Sequence, residues 1–281
     1  MSAVERFERW MRLRGLSPNT IVQRVECLDR MIRAVGVEEP GLVTERHLAD
    51  WQEGWRLAPQ SHCTYVSHVQ AFYRWAVEAG EVERDPSTRM IRPKLPRRLP
   101  RPIPEDRLLV ALEAAGGRVR AYLFLAAFAG LRAAEIAGLR REDIREGGGQ
   151  PVIVVTGKGR KERVLPLAPV LLAELRLYGL APAGFVFGRF GDPARAVSPA
   201  TVSSMSNEYL HGLGFTETLH TLRHRFASRC YQLSLDLRLV QEMLGHSSPT
   251  TTAGYAAFAP DAASAVVARL DGPRRLRAVS T

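Results

Sequence analysis

Residues His220–Tyr255 read HTLRHRFASRCYQLSLDLRLVQEMLGHSSPTTTAGY. HTLRH opens a predicted helix, and His220 and Arg223, three apart, share one face of it. DLRLVQEMLG is a second predicted helix ending at Gly245, with His246 next and Tyr255 nine residues further on. A tyrosine hydroxyl, two histidines and an arginine are the parts needed to cut a phosphodiester covalently without a metal. Such a transfer needs a nucleophile, charge stabilisation for a five-coordinate phosphorane and an acid for the leaving oxygen. Arginine suits the second role, because its planar fork donates two parallel hydrogen bonds to phosphate oxygens and keeps its charge. Histidine and lysine move protons when their pKa values are tuned. A tyrosine with a pKa near ~10 needs neighbouring cations or a base before it attacks well.

Two upstream segments add candidates. Arg132 lies in AGLRAAEIAGL, at a Gly-Leu-Arg turn that opens a helix. Lys158 lies in TGKGRKER, at the tip of a predicted hairpin made from PVIVVT, GKGR and KERVLPL. A turn tip suits a lysine that must reach into a groove and touch a base or a leaving oxygen. Taken singly, each piece has an ordinary reading. An arginine at a helix start is usually a surface charge, and a histidine after Leu-Gly is usually a helix C-cap. Most tyrosines simply pack. GKG is not a nucleotide loop, because G-x-x-x-x-G-K-[ST] is absent.

The order and spacing of the whole set are specific. The chain resembles the tyrosine recombinase family, also called phage-type integrases, with the signature Arg…Lys…His-x-x-Arg…His…Tyr. Arg132, Lys158, His220, Arg223, His246 and Tyr255 match it, with no departure at these six positions. Flanking text matches as well: GLR-x-x-E-I-x-x-L, TGKG-x-K-x-R-x-x-PL, LGH-S and TT-x-x-Y. The resemblance is strong over residues 105–260. It implies that Tyr255 attacks a DNA phosphate to give a 3′-phosphotyrosine, which a second strand resolves without ATP, metal or other cofactor. It implies that Arg132 and Arg223 bind the non-bridging oxygens and that His246 adds a hydrogen bond. The same resemblance implies that Lys158 protonates the leaving 5′ oxygen and that His220 assists proton transfer. Glu135 is expected to orient Arg132 and His224 to support the helix start. The resemblance further implies a homo-tetramer or related hetero-tetramer on two double-stranded DNA sites. The segment Asp261–Leu270 would dock on a neighbouring subunit.

Residues 1–90 carry four predicted helices, with Ser17-Pro18 as a cap and first-turn proline and Gly36 and Gly80 as stops. They read as a helical core-binding (SAM-like) DNA-binding domain. Residues 91–104, IRPKLPRRLPRPIP, hold five prolines and five cations, Arg92, Lys94, Arg97, Arg98 and Arg101. They read as a linker, either a plain spacer or, favoured, a basic strap along a DNA backbone. Residues 105–281 read as the catalytic domain with its docking segment. The expected fold is mainly α with a small β-sheet, a helical N-terminal domain preceding an α+β catalytic domain of tyrosine recombinase type.

Composition agrees with a polyanionic partner: Lys+Arg 39 against Asp+Glu 29 leaves a formal charge of +10. The cysteines, Cys27, Cys63 and Cys230, show no metal or redox spacing. No apolar signal core or membrane-length apolar stretch occurs, so a cytoplasmic protein without membrane partners is expected. Two other functions share features with this reading. A type IB topoisomerase-like enzyme shares the chemistry, but the hairpin and the helical N-terminal domain count against it. A non-catalytic DNA-binding paralogue needs no tyrosine after LGH. Chromosome-dimer resolution and mobile-element integration both fit the layout.

Overall fold

The computed structural model describes residues 1–95, 99–147, 149–157 and 161–245. The chain divides into two compact units, Met1–Arg97 and Arg98–Thr281. Lys158, His246, Tyr255, Arg97, Arg98 and the Asp261–Leu270 segment lie outside the described residues.

The first unit contains four α-helices among its described residues: α1 (Ala3–Leu13), α2 (Pro18–Val35), α3 (Glu45–Glu53) and α4 (Pro59–Glu78). Their ends follow local chemistry. Ser2 and Glu5 form a capping box on α1, the Ser17 hydroxyl accepts from the Thr20 amide at 3.2 Å, and Gly36 closes α2 in the left-handed region. Phe7, Met11, Leu28, Met31, Val66, Val69, Phe72 and Ala76 are buried in one core. Phe7 meets Phe72 edge-on with ring centroids 5.4 Å apart. The helical stripes are rotated slightly from the simple sequence pattern. On α1, Leu13 faces solvent, while on α2 Cys27 and Met31 are buried and Val25 and Ile32 lie only partly inside.

The second unit is built round α6 (Gly117–Phe128), whose residues from Ala121 to Ala127 are all buried. A helix apolar on every side needs cover on every side. That cover comes from α5 (Glu105–Ala114), α8 (Pro169–Tyr178), α9 (Pro199–Gly212) and α10 (Leu219–Ser234), all of which pack against it. Strands β1 (Ile144–Arg145), β2 (Val152–Thr156) and β3 (Glu162–Pro166) form an antiparallel sheet in that order. The β2–β3 hairpin pairs Ile153 with Leu165 and Thr156 with Glu162, and the Gly157 amide donates to the Lys161 carbonyl at 2.8 Å. Ile153, Val155 and Leu165 point into the core. A second sheet pairs β4 (Gly188–Arg189) with β5 (Asp192–Ala196), where the sequence pattern predicts only a single short strand, FVFG. The sequence DPARA hides β5, because proline and charge are both poor strand signals.

Two short helices complete the part of the unit that matters for function. α7 (Ala133–Gly138) follows the Gly-Leu-Arg turn, and α11 (Leu237–Leu244) follows α10. Leu235 takes φ 56 at the end of α10, and the Asp236 carboxylate then caps α11 by accepting from Arg238 N at 2.8 Å and Leu239 N at 3.0 Å. α11 packs on α10 and on β3. No described helix is long and apolar enough to cross a membrane. The described architecture is mainly helical with small sheets.

Candidate active site

The site begins at the turn between α6 and α7. Gly130 takes φ +63, and a Cβ there would lie 2.4 Å from Cδ1 of Phe226. Only glycine allows this turn and this approach together. Leu131 is buried, and its amide donates to the Leu125 carbonyl at 3.3 Å. Arg132 therefore stands at the cap of α7. Glu135, three residues on, reaches back and accepts from the Arg132 amide at 2.8 Å.

Glu135 is the centre of a cluster. Its side chain is 5% exposed and meets three guanidinium groups. Oε1 accepts from Nη1 of Arg132 at 2.8 Å and from Nη1 of Arg163 at 2.9 Å. Oε2 accepts from Nη2 of Arg163 at 2.9 Å and lies 3.7 Å from Nη1 of Arg223. Burial opposes ionisation of this carboxyl. The hydrogen bonds from Arg163 and the Arg132 amide outweigh it, and the charges of Arg163 and Arg223 add to them. Together they hold the carboxyl below its ordinary pKa.

The same arginines grip the C-terminal end of α11. Arg163 Nε donates to the Met243 carbonyl at 2.8 Å. Leu244 O accepts from Arg223 Nη2 at 2.8 Å and from Arg132 Nη1 at 3.3 Å. These are terminal helix carbonyls without an intrahelical donor, and three cations suit that end of the helix dipole. Arg223 is 2% exposed and also donates to the Gly130 carbonyl, so the α6–α7 turn and α11 meet on one side chain.

Arg132, His220 and Arg223 line a cavity of about 420 Å³, with Ala133, Pro199 and Ser203 on its wall. His220 and His224 sit one turn apart on α10 with ring centroids 4.4 Å apart. Solvent reaches His220, yet the protein packed round it, then Arg223 and Arg132, push its imidazole below the ordinary value. Burial, then His220 and Arg223, lower His224 to about 4. Both rings are thus neutral at neutral pH. The cavity joins two cations to a neutral proton acceptor, an arrangement fitted to an oxyanion with a nearby hydroxyl to deprotonate. A cavity of similar volume in the first unit differs. Arg89 on its wall is paired with Glu45 at 3.3 Å, and Leu48, Met90 and Ile91 make much of the rest.

Lys158 and His246 lie outside the described residues, but the glycines before them do not. A Cβ on Gly245 would stand 3.0 Å from Arg163 Nη1. A Cβ on Gly157 would stand 3.6 Å from the same atom and 3.9 Å from Glu135 Oε1. Arg163, which in the sequence only flanks the Lys158 motif, is thus a member of the cluster. Its signal was strand alternation: Val164 is exposed and Leu165 buried, so Arg163 shares the inward phase with Leu165. A charged residue on the inward phase of a strand needs a buried partner. Of the linker cations, Arg92, Lys94 and Arg101 are exposed, and Arg92 donates to Gln70 Oε1.

Residues 104–261, more than half of the 281, match the model of the phage integrase family. The chain belongs to the phage integrase family. This integrase is accordingly a tyrosine-type site-specific recombinase. It is 30% identical over 265 residues to tyrosine recombinase XerC of Pelobacter propionicus, covering 86% of this chain and 85% of that one. It is 30% identical over 261 residues to tyrosine recombinase XerA of Pyrococcus furiosus, covering 90% and 88%. Its fold is similar to that of a lambda integrase fragment (residues 75–356), solved as a dimer bound to a COC′ core site. The TM-score is 0.73 at 19% identity, over 97% of this chain and 98% of that one.

Proposed function

We propose that this integrase cuts and rejoins double-stranded DNA through a 3′-phosphotyrosyl intermediate on Tyr255. The observation that carries the reading is the cavity where Arg132 and Arg223, braced by Glu135, face neutral His220. In this reading the Tyr255 oxygen attacks a backbone phosphorus, the P–O5′ bond breaks, and the strand leaves with a free 5′ hydroxyl. Arg132 and Arg223 hold the non-bridging oxygens, on which negative charge grows in the transition state. Among the described residues, Nε and Nη2 of Arg132 make no hydrogen bond, which suits a side chain that takes up a phosphate. His220 accepts the tyrosine proton, Lys158 gives a proton to the leaving oxygen, and His246 adds a hydrogen bond to the phosphate. The reverse reaction with a second 5′ hydroxyl rejoins DNA. Bond energy is kept in the phosphotyrosine, so neither ATP nor metal enters the scheme.

The first unit then acts as the core-binding domain, and the cations from Arg92 to Arg101 follow the DNA backbone. Assembly is a tetramer on two DNA sites, with Asp261–Leu270 exchanged between subunits. A lambda integrase tetramer bound to a Holliday junction has been solved on a similar fold, in support of such an assembly. The setting is the cytoplasm, and chromosome resolution and element integration draw on the same chemistry.

The test uses nicked suicide DNA. The wild-type chain is expected to form an SDS-stable adduct at Tyr255. Tyr255→Phe is expected to bind the DNA and form none, because the ring stays while the nucleophile is lost. A wild-type yield from Tyr255→Phe would move the nucleophile, with Tyr231 next in line. Tyr209 is less suited, since its hydroxyl is committed to the Ala111 carbonyl at 2.9 Å.

A further inference from the structure

We infer that Arg163 is a positioning residue of this reaction: through Glu135 and the end of α11 it sets the backbone from which Lys158 and His246 both start. The inference rests on the proposed phosphotyrosyl reading and deepens it.

Each of the three guanidinium nitrogens of Arg163 donates a hydrogen bond. Nη1 and Nη2 grip Glu135 at 2.9 Å each, and Nε holds the Met243 carbonyl at 2.8 Å. Its side chain is 11% exposed, so these bonds are largely shielded from water. The geometry joins three chain segments far apart in sequence. Glu135 belongs to α7, Arg163 to β3, and Met243 to α11. Each of the two neighbouring backbones is glycine where it passes the pair. Gly157 lies just before Lys158, and Gly245 just before His246. A side chain at Gly245 would press on Arg163 Nη1 at 3.0 Å, so the fit there is close.

Charge gives a second reason for arginine at this position. Three guanidiniums meet one carboxylate. Arg163 engages both carboxylate oxygens, whereas Arg132 reaches one with its side chain and Arg223 stands at 3.7 Å. Arg163 therefore supplies two of the four described hydrogen bonds that Glu135 accepts, against one from the Arg132 guanidinium, which eases the draw of the carboxylate on Arg132 and Arg223. Without Arg163, Glu135 would draw on the two cations that the phosphate needs. Lysine cannot replace it, because one ammonium does not span two carboxylate oxygens and a carbonyl in this plane.

The test measures single-turnover adduct formation on nicked suicide DNA at saturating protein, with DNA affinity and thermal unfolding recorded beside it. Arg163→Met is expected to bind DNA within about threefold of wild type while cleavage falls by about 100-fold, the scale of an ångström-sized misplacement. Arg163→Lys is expected to stay at least tenfold below wild type. A 5′-bridging phosphorothiolate, whose sulfur leaves without a proton, should recover Arg163→Met more than it recovers Arg132→Ala, since only the first defect includes a displaced Lys158. Wild-type cleavage by either Arg163 variant would overturn the inference. So would an unfolded Arg163→Lys, which would make the role one of stability alone, or equal phosphorothiolate recovery of Arg163→Met and Arg132→Ala. If the wild-type adduct maps to Tyr255 in those experiments, only this inference falls. An adduct at another residue would overturn the reading beneath it.

Discussion

Replacing Gly130 by alanine tests whether the α6–α7 turn is built for glycine. Two costs follow from the geometry. The residue sits at φ +63, where an L side chain costs about 1–2 kcal/mol. Its Cβ would lie 2.4 Å from Cδ1 and 2.9 Å from Cε1 of Phe226, well inside contact distance. Phe226 is buried in a small cluster with Ala227, Val240 and Leu244, so it has little room to retreat. Overpacking of that kind costs about 1–3 kcal/mol. A loss of about 2–5 kcal/mol is expected, a large share of the 5–15 kcal/mol typical of a domain. Urea unfolding of the full chain reads it, with an internal control. Trp10, Trp51, Trp55 and Trp75 all belong to the first unit, so tryptophan fluorescence should keep its midpoint. The circular dichroism transition of the second unit should move down by about 0.7 M urea or more, given slopes of about 1–3 kcal/mol/M. Because Arg223 donates to the Gly130 carbonyl, adduct formation should fall as well. A shift worth under about 0.5 kcal/mol with wild-type cleavage would refute the argument, since it would mean that Phe226 and the turn give way freely.

Two further outcomes are expected. Arg132→Lys and Arg223→Lys should each lose on the order of 10²-fold in single-turnover cleavage, because lysine keeps charge without the fork. Near-normal rates for both would remove them from the transition state. Replacing Arg97, Arg98 and Arg101 by glutamine should make the salt dependence of DNA binding shallower by about two to three units of log–log slope. An unchanged slope would leave the linker as a spacer.

Local features are legible in the chain alone. Ser17-Pro18 and Ser198-Pro199 start α2 and α9 because a hydroxyl and a fixed φ are complete signals over four residues. The β-branched run PVIVVT and the segment KERVLPL on either side of a glycine-rich turn mark β2 and β3. The order of Arg132, Lys158, His220, Arg223, His246 and Tyr255 carries the family resemblance in the linear sequence. The stripe edges on α1 and α2 and the strand β5 are not legible there, because neighbours from other elements decide which side chains a half-buried position hides.

How the site is held is a property of the folded molecule. Arg223 meets a carbonyl 93 residues away at Gly130. Arg132 meets one 112 residues away at Leu244, and Arg163 one 80 away at Met243. No pattern in the chain announces such a bond, since the acceptor is a backbone carbonyl that every residue carries. The carbonyls at the end of α11 become special only when the helix stops there and β3 and α7 bring arginines to them. Glu135 likewise looks like a first-turn acid on a short helix until folding surrounds it with three guanidinium groups. Motif spacing records which groups the chemistry uses, whereas the bracing of those groups depends on distances between segments, which linear order does not contain.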